Sequence, residues 1–253
     1  MVMRVVCAPD APKALVVQTS AFPVAFARDR QPTQRSSSPV MEPDIRDRSA
    51  LLTTLTTEHF TLQGARSGTI TESLGRTTIY LGSLSASLVT LALVFQGGSA
   101  VSDFRLFALV VLPALVFLGS VTFVRVVETG VEDAIYAQAI NRIRHYYLEL
   151  AGDDARYFVL GGNDDLQGGL ANMGLSPSPL RPFYSAAGVV AVINSMVAGA
   201  LAGIVFDVFV PRGVAVIVGV LLAMAALGAH LRLGSGQFLR AMESFTPQFP
   251  SDG

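Results

Sequence analysis

Four apolar runs constrain this chain more than any other feature. They cover approximately residues 77–95, 104–127, 184–210 and 214–231. A bilayer core about 30 Å thick takes about 20 mostly apolar residues to cross as a helix, and each run is near that length. Lipid offers the backbone no hydrogen-bond partner, so a crossing segment must satisfy its own N–H and C=O groups. A helix does this and a lone strand does not. The expected fold is therefore all-α, with four transmembrane helices in an integral membrane protein.

Arginine placement orients the spans. The link after the first span carries no Arg or Lys before Arg105, and the link between spans three and four is Pro211-Arg212-Gly213. Arg66 and Arg76 precede span one. Arg125, Arg142, Arg144, Arg156 and Arg181 lie at or beyond the end of span two, and Arg232 and Arg240 follow span four. Basic residues gather on the cytoplasmic side. Both termini and the long middle link are thus expected in the cytoplasm of a multi-pass protein of the cell membrane. The short outer links fold the spans into two helical hairpins.

The chain divides accordingly. Residues 1–48 are read as a disordered tail, because 1–39 is rich in Pro, Ser and Arg without a helical period. A competing reading makes Met41 the true start. Residues 49–151 hold a pre-span helix capped by Ser49, the first hairpin (77–95, 104–127) and a helical stalk. Close packing is the expected reason for Gly64 and Gly68 in that pre-span helix. In the stalk Tyr136, Ile140, Ile143, Tyr147 and Leu150 form a short seam. It is expected to pack on the pre-span helix or on another copy, with Gly130 as a weak point and Gly152 as a stop. Residues 152–183 are read as a flexible cytoplasmic link, in which 157–160 is a candidate docking segment. The second hairpin occupies 184–233 (184–210, 214–231). The tail 234–253 is expected to hold one short helix over 237–245 and then fray.

Ala187, Ala191, Ser195, Gly199 and Gly203 recur every four residues in span three, so one helix face carries only small side chains. Such a face lets two helix backbones approach closely. Its partner is either span four, where Gly219 and Ala223 match it, or another subunit. Val190 and Val197 are expected to face lipid. Asn194 in the same span is read as an interhelical hydrogen-bonding group, with an ion path as the alternative. Asp207 and Arg212 near Asp103 and Arg105 form an expected ion-pair set; the alternative is a ring of Asp207 carboxylates at a channel mouth. Glu72 and Arg76, four apart, are placed to meet Arg125 and Glu128 at the inner ends of spans one and two. Arg142, Arg144 and His145 are candidates for anionic lipid headgroups. Pro113 is expected to kink span two.

Other chemistry is not written here. The net charge is −1, against a nucleic-acid partner. Cys7 is alone, and His59, His145 and His230 lack ligand spacing. The run Gly161-Gly162-Asn163-Asp164-Asp165-Leu166-Gln167-Gly168-Gly169 faintly resembles a calcium-binding Gly/Asp nonapeptide, but a single imperfect copy reads as a turn. No enzyme motif, cofactor motif or metal site is expected.

Glu58-His59-Phe60-Thr61-Leu62-Gln63-Gly64-Ala65-Arg66, continued by Ile70-Thr71-Glu72-Ser73-Leu74-Gly75-Arg76, resembles a recurring start of small actinobacterial four-span membrane proteins of unassigned activity. The resemblance covers roughly residues 41–150. It implies a similarly built membrane protein and transfers no catalytic residue. The expected function is a non-enzymatic, self-associating membrane module whose partners are the lipid bilayer and either further copies or another membrane protein. An oligomeric ion channel and an accessory subunit of a larger membrane complex are the alternatives.

Overall fold

A computed structural model describes residues 45–96, 101–175, 178 and 180–251. Among them the chain forms helices and no strand: α1 (Ile45–Gln96), α2 (Val101–Ala151), α3 (Leu166–Asn172), α4 (Arg181–Tyr184), α5 (Ala186–Phe206) and α6 (Arg212–Ser244). A 3-10 turn, Gly152–Tyr157, follows α2. Helices α1, α2, α5 and α6 each hold a stretch long and apolar enough to cross a membrane. The tail through residue 44, the Met41 start and the outer link at 97–100 lie outside the described residues. Residues 45–48 belong to α1, so the boundary expected at 48 falls inside a helix.

Two pairs of expected elements are single helices. The pre-span helix and span one are one 52-residue helix, and Ser49 is an interior residue rather than its cap. Nothing crowds Gly64 or Gly68, so close packing does not explain them. Each Gly costs a helix about 1 kcal/mol relative to Ala, a cost that packing along a neighbour offsets. That neighbour is α2, which passes through Gly130 without a break and ends at Ala151. Gly152 then turns left-handed (φ +52°), a conformation that glycine adopts without Cβ strain. Pro113 lies inside the helical span of α2.

Helix α2 is the axis of the molecule: α1, α5, α6 and α3 all pack on it. Its contacts with α1 pair rising with falling numbers, as in Phe104 with Phe95 and Tyr147 with Thr56, so the two run antiparallel. The seam finds its partner within the chain. Ile140 and Ile143 are buried, the Tyr147 ring lies 5.8 Å from His59, and Arg66 pairs with Asp133 at 2.8 Å. Leu150, at the end of that pattern, is exposed. Between the spans, one apolar cluster joins Tyr80, Phe123, Val127, Val190 and Ala191; a second joins Leu91, Ala108, Leu112, Leu115 and Val197. Val190 and Val197 thus face the core, contrary to the lipid-facing expectation. Span three sits with its ladder and its valines both against other helices.

The link and the C-terminal tail also differ from expectation. The link expected to be flexible contains the 3-10 turn, α3 and α4, and Tyr184 belongs to α4 rather than to span three. Tyr157 and Val159 are exposed. Helix α6 runs on to Ser244 and absorbs the separate helix expected at 237–245. Beyond it the chain does not fray: the backbone N–H of Asp164 donates to the Phe249 carbonyl at 3.1 Å, and Asn163 Nδ2 donates to the Pro250 carbonyl at 3.2 Å. An irregular segment must place its backbone and side-chain polar groups somewhere. Here the link and the tail satisfy each other.

Candidate functional site

The small ladder positions the most polar point between the apolar helices. Ser185 caps α5 by accepting the Gly188 N–H at 3.0 Å. One turn past its middle, Gly199 meets α6 with no side chain between the backbones. A Cβ at Gly199 would lie 2.6 Å from the Gly219 carbonyl and 2.6 Å from the Ala223 Cβ. A Cβ at Gly219 would lie 2.7 Å from the Gly199 carbonyl. Gly203 is looser, with the Ala215 carbonyl 3.6 Å from the corresponding point. The ladder is therefore used inside one chain, between α5 and α6.

That close crossing brings His230 of α6 against Asn194 and Ser195 of α5. Asn194 is 1% exposed. Its amide lies 3.1 Å from Ser120 Oγ of α2, 3.4 Å from the Tyr80 hydroxyl of α1 and 3.4 Å from His230 Nε2. Four helices thus contribute polar groups to one point. Gly119 makes room for it, since a Cβ there would stand 2.5 Å from Asn194 Cγ and 2.8 Å from the Tyr80 ring. Phe123 closes one side, its ring edge-on to His230 at 4.7 Å.

The chemistry of this cluster follows from its donors and acceptors. His230 Nδ1 lies 2.8 Å from the Ala226 carbonyl, which can only accept, so Nδ1 carries a proton. In the neutral ring Nε2 is then an acceptor, and Asn194 offers it the amide Nδ2. The reversed amide is better served: its oxygen accepts from Ser120 Oγ at 3.1 Å and Ser120 N–H at 3.2 Å, and its nitrogen donates to the Val116 carbonyl at 3.3 Å. That orientation turns an acceptor toward His230. Both amide orientations find partners on α2. Sequence reasoning placed Asn194 between helices but treated His230 as isolated and did not single out Tyr80, Gly119 or Ser120. A polar residue on each of four apolar helices at matching depth was the available signal.

The charged candidates fall into two groups. At one end of the spans, Asp207 is bound by Arg105 of α2 and lies 3.7 Å from Arg212. At the other, Arg125 clamps Glu72 through two hydrogen bonds, 2.8 and 3.0 Å, and also reaches Glu128 at 3.2 Å and Glu132 at 3.1 Å. Arg76 joins Glu72 at 2.8 Å. The structure brings Glu72, Arg76, Arg125 and Glu128 together, and joins Asp207 to Arg105 and Arg212. Each of these charged side chains is paired with an opposite charge.

A third polar cluster lies where the link meets the tail. The Asp164 side chain is 0% exposed. It accepts from Arg142 Nε at 2.6 Å and from the backbone N–H groups of Gln248 (3.0 Å) and Phe249 (2.8 Å). Burial by itself pushes this carboxyl up, but the two N–H groups and the Arg142 guanidinium outweigh it and hold its pKa below the ordinary carboxylate value. Asp165 caps α3 through Gly168 N–H at 2.8 Å and accepts from Ser251 Oγ at 2.9 Å. The Phe249 ring stacks on His145 at 3.7 Å, and Arg142 sits over Phe245. Arg144 bonds Asn141 at 3.0 Å. Arg142 and His145 thus make contacts within this clasp, and Arg144 bonds a neighbour on its own helix. The Asp164 and Asp165 oxygens of the Gly/Asp run are likewise occupied by protein donors.

No family model, curated protein or solved structure matches this chain. Its class is therefore set by the fold and the clusters themselves: an all-helical chain with four helices able to cross a membrane and a polar cluster at their meeting point.

Proposed function

We propose that this chain is a multi-pass protein of the cell membrane that works without catalysis, as a self-associating module. The four long apolar helices support membrane placement. On this reading the apolar parts of α1 and α2 form one hairpin and α5 with α6 the other. The Arg distribution puts both termini and the middle link in the cytoplasm. The polar parts of α1 and α2, clasped by link and tail, then form a cytoplasmic stalk.

One observation carries the association. Phe60 on α1 is 66% exposed and Val159 in the middle link 96% exposed, with Leu51, Leu52 and Tyr157 also open, although all lie outside the apolar runs. Large apolar side chains left exposed outside the spans support a contact there. The span-three ladder does not supply the contact, because α6 covers it. A second copy is the occupant we assign, packing stalk on stalk. The mass of the detergent-solubilised protein tests this: a discrete homo-oligomer that Phe60→Glu converts to monomer is expected. A wild-type monomer overturns it, and a monomer that carries another protein with it favours the accessory-subunit reading. The channel reading has less support, since Asp207 is held by Arg105 and Arg212. For topology, Cys labelling at positions 98 and 212 should report outside, and at 154 and 251 inside. A cytoplasmic result at 98 overturns the layout.

A further inference from the structure

A cavity of about 520 Å³ lies where α2 leaves the apolar region, between α2, α3, α4 and the far end of α6. Its size falls in the range of about 300–1,000 Å³ typical of small-molecule sites. Gly130 and Ser185 line one end, at the ends of spans two and three. Gln138 lines it farther along α2, about 12 Å away at the helical rise per residue. Leu170, Met173 and Phe238 give it apolar walls.

Gln138 is the group the fold does not explain. It is 3% exposed, and its Oε1 is a buried acceptor with no hydrogen-bond partner. Leaving such a group alone costs about 1–3 kcal/mol, so buried polar atoms generally have a partner in protein, ligand or ordered water. A ligand hydroxyl suits this position. It can donate or accept, so it serves the amide whichever way the amide is turned.

Charge in the wall is already taken up. Asp133 is held by Arg66 through bonds of 2.8 and 3.4 Å, and Arg181 is engaged as well. A charged ligand would therefore leave water for apolar walls without a free counter-charge among the described lining residues. That costs far more than burying a hydroxyl that finds a hydrogen bond.

From these features we infer that the cavity binds an uncharged lipid with a free hydroxyl at its head, of the diacylglycerol kind. The hydroxyl bonds the Gln138 amide, and the acyl chains leave along the apolar wall toward the span ends, where the bilayer begins. This rests on the membrane placement proposed above and not on the self-association.

The full-length protein is reconstituted in phosphatidylcholine vesicles that carry equal small amounts of three probes. These are dioleoylglycerol, dioleoyl propanediol (the same lipid without its hydroxyl) and phosphatidic acid. The protein is then re-extracted, and the retained lipid is read by mass spectrometry. Dioleoylglycerol should be retained over the propanediol ester by roughly five- to tenfold, the worth of one hydrogen bond. It should also be retained over phosphatidic acid. Gln138→Met should erase the first ratio while both uncharged lipids stay enriched over their input. Leu170→Trp, which fills the cavity without touching Gln138, should remove that enrichment. Variants are compared only as monodisperse species, and the ratios are read within each variant. Equal retention of the two uncharged lipids by the wild type, or an unchanged ratio in Gln138→Met, overturns the site and leaves a buried water as the partner of Gln138. Phosphatidic acid retained as well as dioleoylglycerol overturns the uncharged ligand. Displacement of dioleoylglycerol by free glycerol makes the ligand a soluble alcohol and overturns the lipid assignment. Protein that fails to float with the vesicles instead overturns the membrane placement.

Discussion

Gly199 and Gly219 meet with nothing between their backbones, whereas Asp164 meets Arg142, Gln248 and Phe249 through charge-assisted hydrogen bonds. The first contact lies between the apolar helices, the second in the polar half. The difference follows from solvent. In lipid there is no hydrophobic drive between helices, so close packing and a few hydrogen bonds hold them together. In water an irregular link must satisfy its polar groups, and a buried carboxylate must be paired. Asn194 with Ser120 and His230 is the exception that the apolar half tolerates, because every helix around it supplies a polar group.

Substitutions that damage one half and spare the other test that contrast. The largest effect is expected from Gly199→Leu, which drives a side chain into the Gly219 backbone and Ala223. Overpacking costs about 1–3 kcal/mol and occasionally more, and here the obstruction is backbone that cannot swing aside. Folded yield in detergent should collapse, while Gly203→Ala, at the looser crossing, should be tolerated and Met196→Leu on the exposed side should be silent. Normal yield of Gly199→Leu would mean that the α5–α6 crossing is not what joins the apolar half.

Asp164→Ala comes next. It leaves the Arg142 guanidinium and two N–H groups unpaired, a loss of about 1.5–3 kcal/mol per charged hydrogen bond. Because the damage is confined to the clasp, limited proteolysis should cut near 245–251 while the thermal midpoint of the spans stays put. Acid should do the same. The folded Asp164 and Asp165 carboxyls titrate below their unfolded value of about 3.9, so their contribution is complete above that pH and is lost as pH falls through the lower folded values. Tail protection should hold from pH 7 to about pH 4 and fail below it. Release well above about pH 4 would mean that these two carboxylates are not what holds the tail.

Asn194→Ala should cost less, about 0.6–2 kcal/mol, the range for interhelical hydrogen bonds in apolar surroundings. It should lower the thermal midpoint without exposing the tail to protease. The smallest effect belongs to Glu128→Ala. Exposed ion pairs contribute little, and Arg125 keeps Glu72 and Glu132. A clear drop in thermal midpoint for that variant would show the cluster to be more closed than its exposure indicates.

The apolar runs gave the helices, because about 20 apolar residues in a row have few folded solutions. The four-residue spacing from Ala187 to Gly203 likewise announced a close contact, and left-handed Gly152 ended α2 where its position implied. The partner of each surface was not legible. Nothing local distinguishes a valine facing lipid from one facing Tyr80, so Val190 and Val197 were misplaced; only the rotation of α5 against α2 decides it. His230 and Asn194 stand 36 residues apart, and the depth match that joins them exists only once α6 lies along α5. The clasp is the strongest case, since Asp164 finds its donors 84 and 85 residues away in a tail without periodicity. Periodicity fixes which face of a helix is apolar or small, because it acts within a few turns. Which face meets which is set by the simultaneous packing of four helices and the pairing of loops, and that information is carried by no single segment.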